Sequence, residues 1–353
     1  MKVYPVELEL ARAYGQNLAF ERLSPEQILL IRNRGRDLHR WYKAHPAIHA
    51  LINTSLILWI LAVDWLVLTQ LPGLFLHSGR FAGRGTLVLA AVVIGALHSW
   101  LVYSLTSFSL HEGAAHHVIF PGMSRLSRIG DFLSGNMCRL GGAEPQYYSA
   151  CHMAHHARFG TEHDSEFLNF VMPRRLWLSL LPFGSFLNFS DFVIHRPLNY
   201  TVGRVISAIA GVLYNGAYAY VAYRLFGSLF AVILLLLLPH VGFYTDRLRQ
   251  FTEHNLMPVD NLGGARSFGI GFWGLLIGGG PWGQPCHFAH HLVPSIPWYQ
   301  QIILHRYMAS LFTEGQRAQF LLKPVVGYPL LLWSVVRESN RFSRRYRAGA
   351  AHA

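Results

Sequence analysis

The sequence predicts an all-α integral membrane fold with four transmembrane helices and large cytosolic regions that carry clustered histidines. Three observations support this prediction. Hydrophobic residues make up 52% of the 353 residues and charged residues only 14%, against roughly 25% charged in an ordinary soluble domain. Four apolar stretches each have a length close to the roughly 20 residues that a helix needs to cross a bilayer core. The chain also contains 20 histidines, many of them in short repeated motifs.

The composition also restricts the function classes. The net charge of +12 suits nucleic acid or an anionic membrane surface, and the apolar excess favours the membrane and excludes disorder. Three cysteines without a dense or even spacing argue against a disulfide scaffold and fit a reducing compartment. The opening residues do not have the pattern of a secretory signal, so we expect them to stay inside the cell.

The first predicted helix begins near Ser24. Ser24 has the character of an N-cap, Pro25 suits the first helical position, and Gln27 occupies the capping-box position. We predict that residues 1–46 form a cytosolic segment whose helix lies at the membrane interface. This helix carries basic residues and two aromatic residues just before the first apolar stretch: Arg32, Arg34, Arg36, Arg40, Lys43, Trp41 and Tyr42.

The four apolar stretches occupy residues 51–71, 87–110, 206–223 and 225–244, and the short connection between the last two predicts a hairpin. All but three of the 30 Lys and Arg residues lie on one side of these spans; the exceptions are Arg80, Arg84 and Arg224. Because short cytoplasmic loops retain positive charge, we expect both termini and the regions 120–203 and 245–353 to be cytoplasmic. We treat residues 1–353 as one domain, with the spans and two histidine motifs in 47–244 and the third motif and basic tail in 245–353.

Two copies of the motif H-x-x-H-H carry the strongest functional signal. In an α-helix, residues i, i+3 and i+4 lie at azimuths of about 0°, 300° and 40°, so all three imidazoles share one face. That spacing is typical of a metal cluster, and two copies by chance are improbable. The motifs comprise His152, His155 and His156, then His287, His290 and His291.

A further pair, His111 and His116, follows the second apolar stretch. Residues five apart lie about 140° apart on a regular α-helix, so a strict helix would separate the two imidazoles. A π-bulge or an unwound helix end would bring them together, and such bulges are frequent at functional sites. His117 is an alternative to His116 as a ligand. His254 stands alone between the fourth stretch and the last motif.

These motifs resemble those of the membrane-bound fatty-acid desaturase superfamily, which is recognised by three histidine boxes. The boxes here are His111/His116, His152/His155/His156 and His287/His290/His291. The resemblance extends to Phe120-Pro121, to residues 160–164, to residues 249–254 and to residues 291–299, and covers about residues 48 to 310. It implies a four-span all-α fold with a cytosolic cap that holds two irons.

The resemblance, and not the ligand type, selects iron, because imidazoles also suit copper, zinc and nickel. It implies O2 as co-substrate and oxidation of an unactivated C–H bond, for which acid and base side chains are inadequate. It also favours His116 over His117 and implies a role for His254 in completing the coordination of one iron. The nine predicted ligands are His111, His116, His152, His155, His156, His254, His287, His290 and His291.

Four charged residues are candidates to hold ligand imidazoles or to organise the cap, although a solvated charge or an ordinary salt bridge is the alternative for each. They are Glu112, Asp164, Arg249 and Glu253. The G-x-G-x-x-G pattern of residues 269–274 lacks the preceding strand and following acid of a dinucleotide fold, so we interpret it as a turn or glycine packing. Cys151 and Cys286 precede box histidines, and we interpret them as buried apolar residues rather than zinc ligands.

The leading functional hypothesis is an O2-dependent di-iron oxidoreductase that desaturates or hydroxylates a lipid acyl chain. The alternative is oxidative decarboxylation of a free fatty acid to a terminal alkene, which would use the same ligands. A non-catalytic metal-binding membrane protein is the third hypothesis, disfavoured because the histidines gather beyond the span ends. The sequence lacks a haem or flavin signature, so we expect an external ferredoxin, rubredoxin or cytochrome donor with its reductase, and no nucleic acid. We expect a bacterial inner-membrane location with a cytoplasmic active site.

Overall fold

A computed structural model describes residues 21–77, 84–120, 124–140, 144–159, 161, 164, 202–255, 257–258, 264–282, 284–321 and 327–350. These residues are almost entirely helical. Within them the β-type pairing is an isolated parallel bridge between Ser267 and Leu321, and no strand forms. The predicted all-α fold is therefore confirmed for the described part of the chain. Residues 165–201, which belong to the predicted cytoplasmic region 120–203, lie outside the described residues.

The chain divides into two compact units. The first consists of Met1–Ala44, Ser149–Leu198 and Thr245–Ala353, and the second of His45–Tyr148 and Asn199–Tyr244. The first unit therefore contains both H-x-x-H-H motifs and His254, whereas the second contains His111 and His116.

Helix α1 (Pro25–Ala44) begins where the sequence predicts. The Ser24 hydroxyl accepts a hydrogen bond from the Gln27 backbone N–H at 3.1 Å, and the Gln27 side chain accepts one from the Ser24 N–H at 2.8 Å. This reciprocal pair is the predicted capping box, which satisfies two N–H groups at the helix start. The buried face of α1 contains Ile31 and Leu38, which belong to the core of the first unit.

Two long helices dominate the second unit: α2 (Pro46–His77) and α3 (Arg84–Phe108). They pack together around small and aliphatic residues that include Ala91 and Ile94, while large apolar side chains such as Trp65 and Leu89 are exposed. Among the described residues, Pro46–Pro72 and Val88–Ala115 are long and apolar enough to cross a membrane. These segments correspond to the first two predicted spans, and the third and fourth remain predictions.

The predicted second hairpin consists of α6 (Val202–Phe226) and α7 (Ser228–His254). A single residue, Gly227, joins the two helices, and its φ of 87° lies in the left-handed region that glycine adopts without a Cβ penalty. Helix α7 continues ten residues beyond the apolar stretch. A continuous helix therefore carries His254, which the sequence left as an isolated residue.

Shorter helices complete the described structure. Helix α4 (Ser124–Leu140) packs on the segment after α3 and on α6 in the second unit. In the first unit, α9 (His287–Leu292) and α10 (Trp298–Leu311) pack together, and α10 also packs on α1. The Phe288 ring of α9 stacks on Phe320 with a centroid separation of 4.5 Å. The remaining helices are α5 (Pro145–Arg158), α8 (Phe272–Gly278), α11 (Glu314–Phe320) and α12 (Gly327–Ala350).

Candidate metal centre

A π-helix, Ser109–Ala115, continues directly from α3 and brings His111 and His116 together. The His116 N–H donates to the His111 carbonyl at 3.1 Å, the i+5 to i hydrogen bond of a π-helix. The two imidazoles lie edge to face with ring centroids 4.7 Å apart. Of the two geometries that the sequence left open, the structure therefore adopts the π-helix.

His117 has different surroundings from His116. Its side chain is 61% exposed, and its Nδ1 lies 3.0 Å from an Asp131 carboxylate oxygen. The φ of His117 is 54°, so the backbone turns away from the helix at this residue. Within the second unit, His116 and not His117 offers a ring nitrogen within 4.8 Å of one from His111.

Each H-x-x-H-H motif lies on a helix, and its imidazoles share one face as helical periodicity predicts. On α5, the Nε2 atoms of His152 and His156 are 3.1 Å apart. On α9, the Nε2 atoms of His287 and His291 are 3.0 Å apart. The N–H of Phe288 donates to the Ser267 hydroxyl at 3.0 Å, which ties the start of α9 to the loop before α8.

Four histidines of the first unit form one compact set. Their ring nitrogens all lie within 4.8 Å of one another, and the His254 Nε2 is 2.9 Å from the His287 Nε2. We call this set the four-histidine group; it consists of His155, His254, His287 and His291. It draws on α5, α7 and α9, so residues up to 136 positions apart meet in it.

A second set in the first unit, the three-histidine group, consists of His152, His156 and His290. The His156 Nε2 lies 3.1 Å from the His152 Nε2 and 2.8 Å from the His290 Nε2. The His156 and His291 ring centroids are 4.7 Å apart, so the three-histidine group adjoins the four-histidine group. All seven predicted ligands in the first unit are therefore clustered.

Hydrogen bonds at Nδ1 fix the tautomers of three imidazoles. The His155 Nδ1 donates to the Asp164 carboxylate at 2.9 Å, and the His254 Nδ1 donates to the Gly264 carbonyl at 2.8 Å. In the second unit, the His111 Nδ1 donates to Glu112 at 3.0 Å. A neutral imidazole that donates at Nδ1 keeps its lone pair on Nε2. Carboxylate and carbonyl partners of this kind orient metal-binding histidines.

Arg249 and Glu253 form a buried ion pair one helical turn apart on α7. The Arg249 Nη1 donates to Glu253 at 2.8 Å and to the Gln284 side-chain oxygen at 2.9 Å, while Nη2 donates to Asp246 at 2.9 Å. The same Glu253 oxygen lies 3.5 Å from the His287 Nε2. The guanidinium therefore connects α7 to the chain just before α9 and holds a carboxylate beside the four-histidine group.

Several residues at the site carry no signal in the sequence. Gly264 supplies a backbone carbonyl, and Gln284 lies 35 residues from the arginine that it binds. Arg266 donates to the carbonyls of Thr252 and Asn255, at 2.6 and 2.9 Å, and so secures the end of α7. The Gln301 amide nitrogen lies 3.3 Å from the His290 Nδ1. A backbone carbonyl or an amide side chain can take such a role anywhere in a chain, so its position in the sequence does not reveal it.

Burial sets the protonation states of two members of the four-histidine group, His287 and His291. Desolvation lowers the pKa of His287 and of His291 well below the usual 6.5, and the neighbouring imidazoles lower both further. Both rings are therefore neutral at pH 7, which is the form that binds a metal ion. Burial raises the pKa of the Cys286 thiol to about 12, with Arg306 opposing the shift, so this cysteine is protonated at neutral pH. As predicted, Cys286 lies in the apolar core.

The imidazole nitrogens and the carboxylate oxygen around His287 suit a bound cation. The His287 Nε2 faces the His254 Nε2, the His291 Nε2 and a Glu253 oxygen within 3.5 Å, and the His254 nitrogen presents a lone pair. One proton on His287 satisfies at most one of these acceptors, whereas a metal ion satisfies several.

The G-x-G-x-x-G pattern covers the turn before α8 and the first residues of α8. Gly269 has a φ of 69°, and a Cβ on Gly274 would collide with the Gly269 carbonyl oxygen. Close backbone packing therefore explains both glycines, in agreement with the interpretation from sequence.

The family model of fatty acid desaturases matches residues 85–323 of the chain. The chain belongs to the fatty acid desaturase family. The matched region includes all nine predicted histidine ligands and both groups described above. Membership of the desaturase family identifies an oxidoreductase of lipid metabolism that acts on an acyl chain. No curated protein sequence matches the chain.

Proposed function

We propose that this desaturase-family chain uses two iron ions and O2 to oxidise an acyl chain at an unactivated C–H bond, introducing a double bond or a hydroxyl group. The observation that carries the proposal is the four-histidine group: its ring nitrogens all lie within 4.8 Å of one another, and those of His254 and His291 lie about 3 Å from that of His287. All nine histidines are assigned as ligands: the seven of the first unit, together with the His111 and His116 pair that the π-helix presents.

Bound iron would supply the activation of O2 and the removal of hydrogen from the acyl chain. The protein's own groups prepare the ligands. Asp164 and the Gly264 carbonyl hold the Nδ1 protons of His155 and His254, so the Nε2 lone pairs are directed into the group before a metal binds. The Arg249 guanidinium holds the Glu253 carboxylate beside His287, and the negative charge of that carboxylate favours a cation.

We propose four membrane spans, with the third and fourth in α6 and α7, a cytoplasmic active site and cytoplasmic termini in a bacterial inner membrane. The arginine and lysine distribution supports this orientation. Electrons would come from an external carrier protein of the ferredoxin, rubredoxin or cytochrome type.

Mass spectrometry of lipids, free acids and headspace hydrocarbons from cells fed labelled fatty acids tests the reaction class. Cells that express the protein should accumulate an unsaturated or hydroxylated acyl product, and cells that express His155→Ala should not. A labelled terminal alkene one carbon shorter than the acid would instead assign decarboxylation. The same lipid profile with and without the protein, in iron-replete cells that contain the folded chain, would contradict the proposal.

A further inference from the structure

We propose that Gly35 is a positioning residue for the metal centre. Helix α1 braces the end of α9, and the absence of a side chain at residue 35 determines where His290 and His291 lie. This inference rests on the metal centre of the proposed function, because it treats the α9 imidazoles as ligands. It extends the residues on which the centre depends to a helix outside residues 85–323, the region matched by the family model.

Gly35 lies on the buried face of α1, in close contact with Val293, the residue that ends α9. A Cβ on Gly35 would lie 2.7 Å and 3.0 Å from the two methyl carbons of Val293 and 3.3 Å from its Cβ. Rotation of the valine side chain moves the methyl groups, but it leaves the Val293 Cβ in place because the backbone fixes that atom. A side chain at residue 35 would therefore press on the backbone at the end of α9.

Val293 belongs to the turn of α9 that carries two of the predicted ligands. Its N–H donates at 3.0 Å to the carbonyl four residues earlier, so a displaced Val293 distorts the turn that presents His290 and His291. The His291 Nε2 lies 3.0 Å from the His287 Nε2, and the His290 Nε2 lies 2.8 Å from the His156 Nε2. Distortion of this one turn would therefore disturb both the four-histidine group and the three-histidine group.

Helix α1 is held in place on both sides of Gly35. Ile31 and Leu38, one turn before and one turn after the glycine, are buried in the core of the first unit. At the start of the helix, the Gln27 amide donates to the Gln316 side-chain oxygen at 2.8 Å, and the Gln316 amide donates back at 3.0 Å. Because these contacts oppose movement of α1, we expect the end of α9 to yield when residue 35 gains a side chain.

Metal titration of Gly35→Ala tests the proposal. The probe is Co²⁺, added to the metal-free full chain in detergent; its Kd is measured together with its visible absorption spectrum, which reports the arrangement of ligands. We expect the variant to bind Co²⁺ about tenfold or more weakly and with an altered spectrum. Alanine is a better helix former than glycine, so a weakened α1 does not explain such a loss. The matched control is Gly216→Ala, whose Cβ would meet no atom within 4 Å and which should change the Kd less than about threefold.

A second variant separates positioning from a purely structural role. Gly35→Ala/Val293→Ala removes the methyl groups that the new Cβ would strike, so it should recover part of the affinity and the wild-type spectrum. Failure of this double variant to recover either would overturn the proposal. So would a Gly35→Ala protein that unfolds at a lower temperature but keeps the wild-type Kd and spectrum, because its glycine would then serve only stability.

Product formation by the wild type distinguishes this inference from the proposed function. If the wild type binds Co²⁺ and Gly35→Ala shows the expected loss, but the iron-loaded wild type forms no product, the proposed reaction is refuted and the positioning role is supported. A wild-type chain that binds no Co²⁺ would contradict both.

Discussion

His254 stands outside the three histidine motifs, yet it belongs to the four-histidine group. Its Nε2 is 2.9 Å from the His287 Nε2, and its Nδ1 is held by the Gly264 carbonyl. A solitary histidine near an apolar segment is usually a packing residue, so its spacing alone does not reveal this role. Its position follows from α7, which remains helical past the apolar stretch and ends at this residue.

We expect His254→Ala to lose iron and activity as severely as His155→Ala, because removal of one imidazole both weakens metal affinity and leaves a carbonyl without its donor. Metal analysis and product formation on the folded variant measure the effect. The control is His39→Ala, which removes a first-unit histidine that binds the Ser295 carbonyl. Normal iron content in His254→Ala would reduce the ligand set from nine to eight.

The pH dependence of stability should reflect His305, whose pKa burial lowers to about 4. The unfolded chain, with a pKa near 6.5, then binds a proton between pH 6.5 and 4 that the folded chain does not. This stabilisation is therefore present above pH 6.5 and is lost as the pH falls towards 4, by an amount on the order of 3 kcal/mol.

Denaturant unfolding in detergent at several pH values should show a shallower loss of stability for His305→Gln than for the wild type over that window. Other histidines titrate equally in both proteins, so the difference isolates His305. Parallel curves for the two proteins would contradict the lowered pKa of the half-buried His305.

At the scale of elements, the π-helix determines where His111 lies, and Gly113 determines how closely the π-helix packs on α4. A Cβ on Gly113 would lie 2.5 Å from the Ser134 Cβ and closer still to its hydroxyl oxygen. The Ser134 hydroxyl could rotate away, but the Ser134 Cβ is fixed by its backbone and cannot move without shifting α4. The absence of a side chain at residue 113 is therefore a requirement of this contact.

We expect Gly113→Ala to destabilise the protein by about 1 to 3 kcal/mol and to lower its iron content, because overpacking displaces the π-helix and His111 with it. Thermal unfolding and metal analysis measure the two effects. Gly216→Ala is the matched control, since its Cβ would meet no atom within 4 Å. Failure of Ser134→Gly to restore iron to the Gly113→Ala variant, at least in part, would contradict the steric explanation.

Local sequence rules predicted several elements of this structure. The capping box of Ser24 and Gln27 and the shared face of each H-x-x-H-H motif follow from backbone geometry within a few residues. The partners of the ligands did not follow from such rules. Gln284 and the Gly264 carbonyl reach the site through tertiary packing, and a backbone carbonyl has no signature in a sequence. The choice of a π-helix over an unwound end likewise depends on packing against α4.

At the scale of the whole molecule, the distribution of charge predicts how the chain crosses the membrane. Reporters fused to either terminus should report a cytoplasmic location, and a reporter inserted near Gly79, which lies outside the described residues, should report an external one. Accessibility labelling in intact and permeabilised cells makes the measurement. A cytoplasmic signal near Gly79 would contradict the proposed orientation and, with it, the cytoplasmic active site.

The central claim is that this desaturase-family chain holds two irons through nine histidines, and iron stoichiometry tests it most directly. Metal analysis of the protein purified from iron-replete cells, combined with Mössbauer spectroscopy of the ⁵⁷Fe-enriched protein, reports both the number of ions and their coupling. We expect about two irons per chain, because seven imidazoles in one unit and a further pair in the other exceed what one ion binds. One iron per chain, or stoichiometric zinc in a preparation that still turns over, would contradict the account.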